Sequence, residues 1–376
     1  MILVSYWIIV SLLFVFFVMF LLANNNVIFK KNRIGFFLRS HGFKYCMKRL
    51  LLSILSLLII MISLFFLMRF TIYNNYQYTE DLVNEFNKPI ISKENIFHDF
   101  LNYCYNLLPF PKKVCSATKM CDNQIVCSKY EYKIINLGYS YSYMKNVSVI
   151  QIIKEKASVS FLIGSIAYVL ECLIGYPLGI YLAKKKNKVL NKSLDIVHVT
   201  SLSVPRILQF YLFLIIFMVY FKLPVSFEIN NILSYIAPIL SVVIFGCLSV
   251  AYWVRKYFLL EMNKDYVKYA KSKGLSDNYI FYHHIFKNAL SPLIRTIPTS
   301  LFACLCGYYL LELTFNIPGI GYTLMTAIKL NDVHLIEGLI LFFSSFSVLS
   351  YFIGDIIAIL LDKRIYLKKE VKHNEK

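Results

Sequence analysis

The densest run of residues able to make specific polar contacts lies between Glu261 and Pro292, EMNKDYVKYAKSKGLSDNYIFYHHIFKNALSP. It holds carboxylates at Glu261, Asp265 and Asp277, a series of lysines, and the adjacent His283 and His284. Neighbouring histidines on a helix point away from each other, so they do not make a metal pair. No histidine and carboxylate stand at a useful catalytic spacing. A phosphate-cradling G-x-x-x-x-G-K loop is absent, since no glycine in the chain precedes a lysine. We therefore expect no catalytic residue, no metal ligand and no cofactor held by this chain. The chemistry on offer is recognition by a charged helical surface.

Local signals in this run describe two helices meeting at a turn. Helical spacing puts Tyr266, Ala270 and Lys273 on one face of the first, with Lys271 and Lys273 in its last turn, where cations favour the helix end. Gly274 suits the left-handed position that closes a helix. Ser276 is placed to cap the next helix with Asp277 in its first turn, and Pro292 marks a break before the following apolar stretch. In the second helix Ile280, His284, Ile285 and Asn288 lie along one side. The plainer reading of all these residues is capping and packing within the hairpin itself, and for Gly274 the two readings coincide.

The elements that must position this hairpin are apolar. Of 376 residues 58% are hydrophobic and 16% charged, too apolar for an ordinary soluble domain. A membrane span needs about 20 mainly apolar residues, and stretches qualify at 2–23, 50–70, 159–183, 203–221, 231–253, 293–313 and 334–361. Lipid offers backbone groups no partners, so each stretch is expected to be a helix. The net charge of +19 could suggest nucleic acid, but its distribution points to topology instead. Residues 24–49 carry seven Lys or Arg and no acid, and residues 184–192 (KKKNKVLNK) carry five and no acid. Residues 254–292 carry seven against three acids, whereas 71–156 is nearly balanced, with ten against eight. Alternate links are basic, as the positive-inside rule requires. The amino terminus is expected outside, the hairpin and carboxyl terminus in the cytoplasm, and no nucleic acid as partner.

Two further groups stand out. Charges at membrane depth are rare and usually functional, which makes Arg206, after Pro205, and Glu312 candidates for lining a path or closing a gate. Cys104, Cys115, Cys121 and Cys127 all fall in the long link expected outside, where oxidising conditions permit disulfides. The five-residue gaps between the last three match no common zinc pattern.

The run Glu261, Asp265-Tyr266, Ala270, Lys273-Gly274-Leu275, His284, Asn288-Ala289 and Pro292 resembles the cytoplasmic coupling motif of binding-protein-dependent ABC importer permeases, in the form carried by the B-type subunit of oligopeptide and dipeptide permeases. Ile174-Gly175-Tyr176-Pro177-Leu178-Gly179 resembles that family's Gly-Pro segment, ELTFNIPGIG at 312–321 its loop before the last span, and Asp355 with 361–364 its end, Lys363 standing where a proline is usual. Three departures are the extra span at 2–23, Thr71-Ile72-Tyr73-Asn74 in place of a Pro-Gly-Asp-Pro-like segment, and an external loop without a counterpart in the family. The resemblance implies an all-α polytopic transmembrane bundle like that of type I ABC importers, to which the polar segment 71–156, long enough to form a small external loop subdomain, adds a part of its own. It divides the chain into an extra helix and basic link at 1–48 and a first family-like helix at 49–70. An external loop at 71–156, a five-helix core at 157–362 and a basic tail at 363–376 follow. It implies a second homologous permease subunit, two cytoplasmic ATPase subunits that hold ATP and Mg, an extracellular solute-binding protein, and membrane lipid as partners. Peptides are the expected cargo. Nickel or another small solute is the alternative within the class, and an ATP-independent channel or a membrane enzyme is the alternative outside it.

Overall fold

The computed structural model describes residues 41–76, 96–108, 110–121, 124–133, 135–185, 188–224, 226–305 and 308–361. The expected span at 2–23, the basic residues up to 40 and the tail at 363–376 lie outside the described residues. The chain runs through α1 (His41–Tyr76), α2 (Ile96–Leu107), the antiparallel strands β1 (Lys112–Cys121) and β2 (Gln124–Lys133), and α3 (Val149–Lys185). Then come α4 (Lys188–Ser203), α5 (Arg206–Phe221), α6 (Leu233–Met262) and α7 (Asp265–Ser272). A short α8 (Asp277–Ile280) leads through a π-helical turn (Phe281–Ile285) into α9 (Phe286–Leu305), followed by α10 (Tyr309–Thr314), α11 (Ile320–Lys329) and α12 (Val333–Leu361). It is a multi-pass helical membrane bundle whose link between α1 and α3 adds a short helix and a two-stranded hairpin.

Among the described residues four helices are long and apolar enough to cross a membrane: Met47–Phe70 within α1, then α3, α6, and Val333–Ile357 within α12. A fifth candidate is the pair α4 and α5, bent by 106°. The stretch expected as one span at 203–221 therefore opens on a break: Pro205 lacks an N–H and is extended at ψ 133°, so the straight helix starts only at Arg206. The stretch at 293–313 also differs, being divided between α9 and α10. Pro292 does not break the chain. It sits inside α9, where it forfeits one backbone hydrogen bond that packing of the surrounding helices offsets. α1 and α3 extend beyond the expected 49–70 and 157 boundaries into the link between them.

The helices α3 and α6 make the most extensive packing in the bundle, and glycine makes it possible. A Cβ at Gly175 would lie 2.7 Å from the Val250 Cβ and 2.8 Å from the Cys247 carbonyl. One turn on, a Cβ at Gly179 would lie 2.6 Å from the Ala251 carbonyl and 2.7 Å from the Val254 Cβ. Small residues four apart let two membrane helices approach backbone to backbone where lipid supplies no hydrophobic drive for association.

Carboxylates fasten the two ends of the bundle. Asp332 is fully buried and caps α12 through the Leu335 N–H at 3.3 Å. Its other oxygen accepts from the Ser140 hydroxyl at 2.5 Å and from the backbone N–H groups of Tyr141, Ser142 and Tyr143 at 3.2, 3.1 and 3.1 Å. This ties the segment before α3 to the turn between α11 and α12. At the opposite end Asp355 of α12 accepts from Arg295 of α9 at 2.7 Å and pairs with Arg49 of α1 at 3.3 Å. Arg295 and Arg49 thus clip α9, α12 and α1 together.

Gly179→Ala should cost about 1–3 kcal/mol, because its methyl meets backbone that can only yield if α3 and α6 move apart. The check is the melting temperature of the detergent-solubilised chain. A variant as stable as its parent would contradict the backbone-close seam.

Candidate functional site

The hairpin between α6 and α9 has two faces of different character. Its inner face is a hydrophobic core of its own, in which Val267, Ala270, Ile280, Phe281, Ile285 and Ala289 pack against Val254 and Phe258 of α6 and Ala183 of α3. Phe281 stacks on Phe258 with ring centroids 5.5 Å apart. In the π turn at 281–285, which widens the helix by one residue, both Phe281 and Ile285 are buried. His284, expected on the side of Ile280, Ile285 and Asn288, is exposed. Gly274 has φ +76°, with nothing within 4 Å of where a Cβ would stand, so the left-handed turn alone selects glycine there. The Ser276 hydroxyl accepts from the Tyr279 N–H at 3.4 Å as the N-cap of α8.

Polar residues of the motif divide between these faces. Glu261 is buried; it accepts from the Tyr266 hydroxyl at 2.9 Å and pairs with Lys264 at 2.6 Å. Asn288 donates to the Tyr266 hydroxyl at 3.3 Å and to the His284 carbonyl at 3.0 Å. The trio Glu261, Tyr266 and Asn288 thereby staples the end of α6 to α9. Glu261 and Ala270, expected on the docking surface, instead face inward: Ala270 is 7% exposed because the first helix of the hairpin lies flat on its own core. The outward face carries Asp265, Tyr269, Lys273, Leu275, Tyr279 and His284. Lys268 donates to Asp265 at 2.9 Å, and this bond, with its charge, holds the Asp265 carboxyl below the usual range. Both groups are largely in solvent, where such pairs add little stability.

Next to the hairpin lies a cavity of about 810 Å³. Its walls come from α3, α5, α6, α9 and α10, and include Glu171, Arg206, Trp253 and Thr296. Tyr176, Val250, Tyr257 and Leu293 serve twice, lining the cavity and packing on the hairpin core. Arg206 is among the residues on the cavity wall. Glu312 is not on the wall. Its carboxylate accepts from the Ser160 hydroxyl at 2.6 Å and the Tyr322 N–H at 2.7 Å, while Ser160 accepts from the Ile320 N–H at 2.9 Å. Glu312 caps the start of α11, and a carboxylate at that helix end is favoured by the macrodipole.

Glu171 is the residue that sequence reasoning passed over, although an acid inside the apolar stretch 159–183 is the signal that singled out Arg206 and Glu312. Its side chain lies in the notch left by Gly246, where a Cβ would stand 1.9 Å from the carboxylate oxygen. Of the cysteines expected to pair, Cys104 is a free, half-buried thiol. The side chains of Cys115, Cys121 and Cys127 lie outside the described residues, and the backbone register sets these three opposite Tyr130, Gln124 and Thr118.

Residues 175–366 match the family model described as the binding-protein-dependent transport system inner membrane component. The match takes in the glycine seam from Gly175 onward, most of the cavity wall and the whole hairpin. The chain belongs to this family of ABC importer permeases. It is 32% identical over 214 residues, 56% of its own length and 43% of the relative's, to the oligopeptide transport system permease protein AmiC of Streptococcus pneumoniae. It is 30% identical over 231 residues, 61% of its own length and 68% of the relative's, to the nickel import system permease protein NikB of Staphylococcus aureus. It therefore spans less than half of AmiC and about two thirds of NikB. A solved structure titled as inward-facing conformations of the MetNI methionine ABC transporter aligns at 15% identity and TM-score 0.42, over 57% of this chain and 97% of that one.

Gly246→Ala should be milder than Gly179→Ala, since its methyl meets the end of a flexible side chain rather than backbone. A loss of about 1 kcal/mol or less is expected, on the scale of substitutions that avoid core strain. Melting temperatures of the two variants decide this, and an equal or larger loss at Gly246 would mean that the Glu171 carboxylate cannot move.

Proposed function

We propose that this chain is the membrane-spanning permease subunit of an ATP-binding-cassette importer, moving oligopeptides or dipeptides across the cell membrane by alternating access. The observation that carries this reading is the hairpin 261–292, which presents an exposed polar and aromatic face while its inner core packs on the walls of the membrane cavity. A helix offered to a groove is a standard mode of protein recognition. Two cytoplasmic ATPase subunits, holding ATP and Mg, would receive the hairpin on Asp265, Tyr269, Lys273, Leu275 and Tyr279. Their closure would push α7 and α9, and the shared residues Tyr176, Val250, Tyr257 and Leu293 would pass that push to the cavity. Such a push biases a bundle between inward and outward openings. Hydrolysis belongs to the ATPases, so the chain itself is a carrier rather than an enzyme.

A second homologous permease subunit would complete the pathway, and an extracellular solute-binding protein would deliver cargo to the end of the bundle where Asp332 ties down the segment 140–143. This orientation puts the hairpin and carboxyl terminus in the cytoplasm and the amino terminus outside. A cavity of about 810 Å³ suits a peptide-sized solute. The second reading is nickel, favoured by NikB, of which the chain covers 68%.

Affinity purification of the tagged chain with its co-expressed neighbours should recover two ATPase subunits, and cells lacking the chain should lose ATP-dependent peptide uptake. A solitary pore conducting without ATP would sink the importer reading, and unchanged peptide uptake with lost nickel uptake would replace the cargo. Asp265→Asn should leave the melting temperature unchanged, given the exposure of that ion pair, yet lower the recovery of ATPase.

A further inference from the structure

We infer that Glu171 and Arg206 form a two-charge binding site within the cavity for a small zwitterion, Glu171 taking its ammonium and Arg206 its carboxylate. This rests on the importer reading and names the chemistry that its chamber reads.

The side chain of Glu171 sits at the cavity wall in the notch of Gly246, and the residue is only 6% exposed. Among the described residues it receives no hydrogen bond and joins no ion pair, whereas Asp332 and Glu312 each take several donors. A carboxylate largely withdrawn from water and without a protein donor is costly, and an incoming cation relieves that cost. Arg206 is the first residue of α5, where the positive end of the helix disfavours a cation. It is exposed on the same cavity and is close enough to act electrostatically on Glu171, yet the two do not close into an ion pair.

Two opposite charges thus face one chamber, each placed where the protein alone disfavours it. A ligand carrying both charges satisfies both. A bare metal cation would gain from Glu171 and be repelled by Arg206, and a simple anion would meet the reverse.

Cys172 also lines the cavity and serves as a reporter, whereas Cys247 does not line it. The purified full chain is alkylated with N-ethylmaleimide, and modification of each cysteine is followed by mass spectrometry. Alanyl-alanine with free termini should slow Cys172 modification, while N-acetyl-alanyl-alanine amide at the same concentration should not. Glu171→Gln and Arg206→Gln should each raise the protecting concentration about tenfold, the scale of a lost charged hydrogen bond. Equal protection by both peptides, or by neither, would overturn the site, as would nickel chloride protecting better than the free peptide. Cys172 reacting no faster than Cys247 would remove the accessible cavity itself. The two peptides are compared on the unaltered chain, so misfolding of a variant leaves the test intact. Protection without ATPase recovery or uptake would keep the zwitterion site and discard the importer.

Discussion

Everything functional in this bundle hangs on the seam where Gly175 and Gly179 of α3 meet the backbone of α6. Helices that touch at carbonyl distance have one register, because sliding either by a residue drives a side chain into backbone. That register sets Glu171 opposite Gly246 one turn above and Ala183 against Val254 one turn below. It also fixes where α6 ends, and so where the hairpin begins.

From that fixed frame, packing runs without interruption from the outward face of the hairpin to the cavity. The hairpin core rests on Val254 and Phe258; Tyr257 and Val250, on the same helix, look into the chamber. Leu293 does the same from α9, which continues the second half of the hairpin directly into the bundle and is clipped to α12 and α1 through Asp355. A displacement of the hairpin therefore has no slack in which to be absorbed, since close-packed interiors transmit strain. The charges on its outer face contribute little to stability, so they are free to serve a partner.

How much of this was legible in the sequence depended on how local the governing rule was. Gly274 and Ser276 were placed correctly because a left-handed turn and an N-cap are decided within a few residues. Four of the apolar stretches became long helices for a similar reason, as lipid leaves the backbone no alternative. Pro292 misled because a proline's local cost is small beside the packing of a membrane bundle, and Ala270 because helical spacing cannot say which neighbour covers a small residue. The π turn at 281–285 was invisible, since no residue type or spacing in that run marks one. Glu312 and Glu171 exchange roles: an acid at membrane depth is conspicuous, but whether it finds Ser160 and a helix end, or an empty wall, is settled by residues far away in sequence.

The central claim is that the hairpin couples the membrane cavity to an ATPase, and the most direct measurement is photocrosslinking in intact cells with a photoreactive amino acid at position 275, in place of Leu275. That residue is 38% exposed at the tip of the turn, so the replacement leaves the hairpin core untouched. The account predicts a crosslink to an ATPase subunit whose yield changes when ATP turnover is arrested. Uptake that continues with no crosslink to an ATPase, or a yield that ignores the nucleotide state, would contradict it.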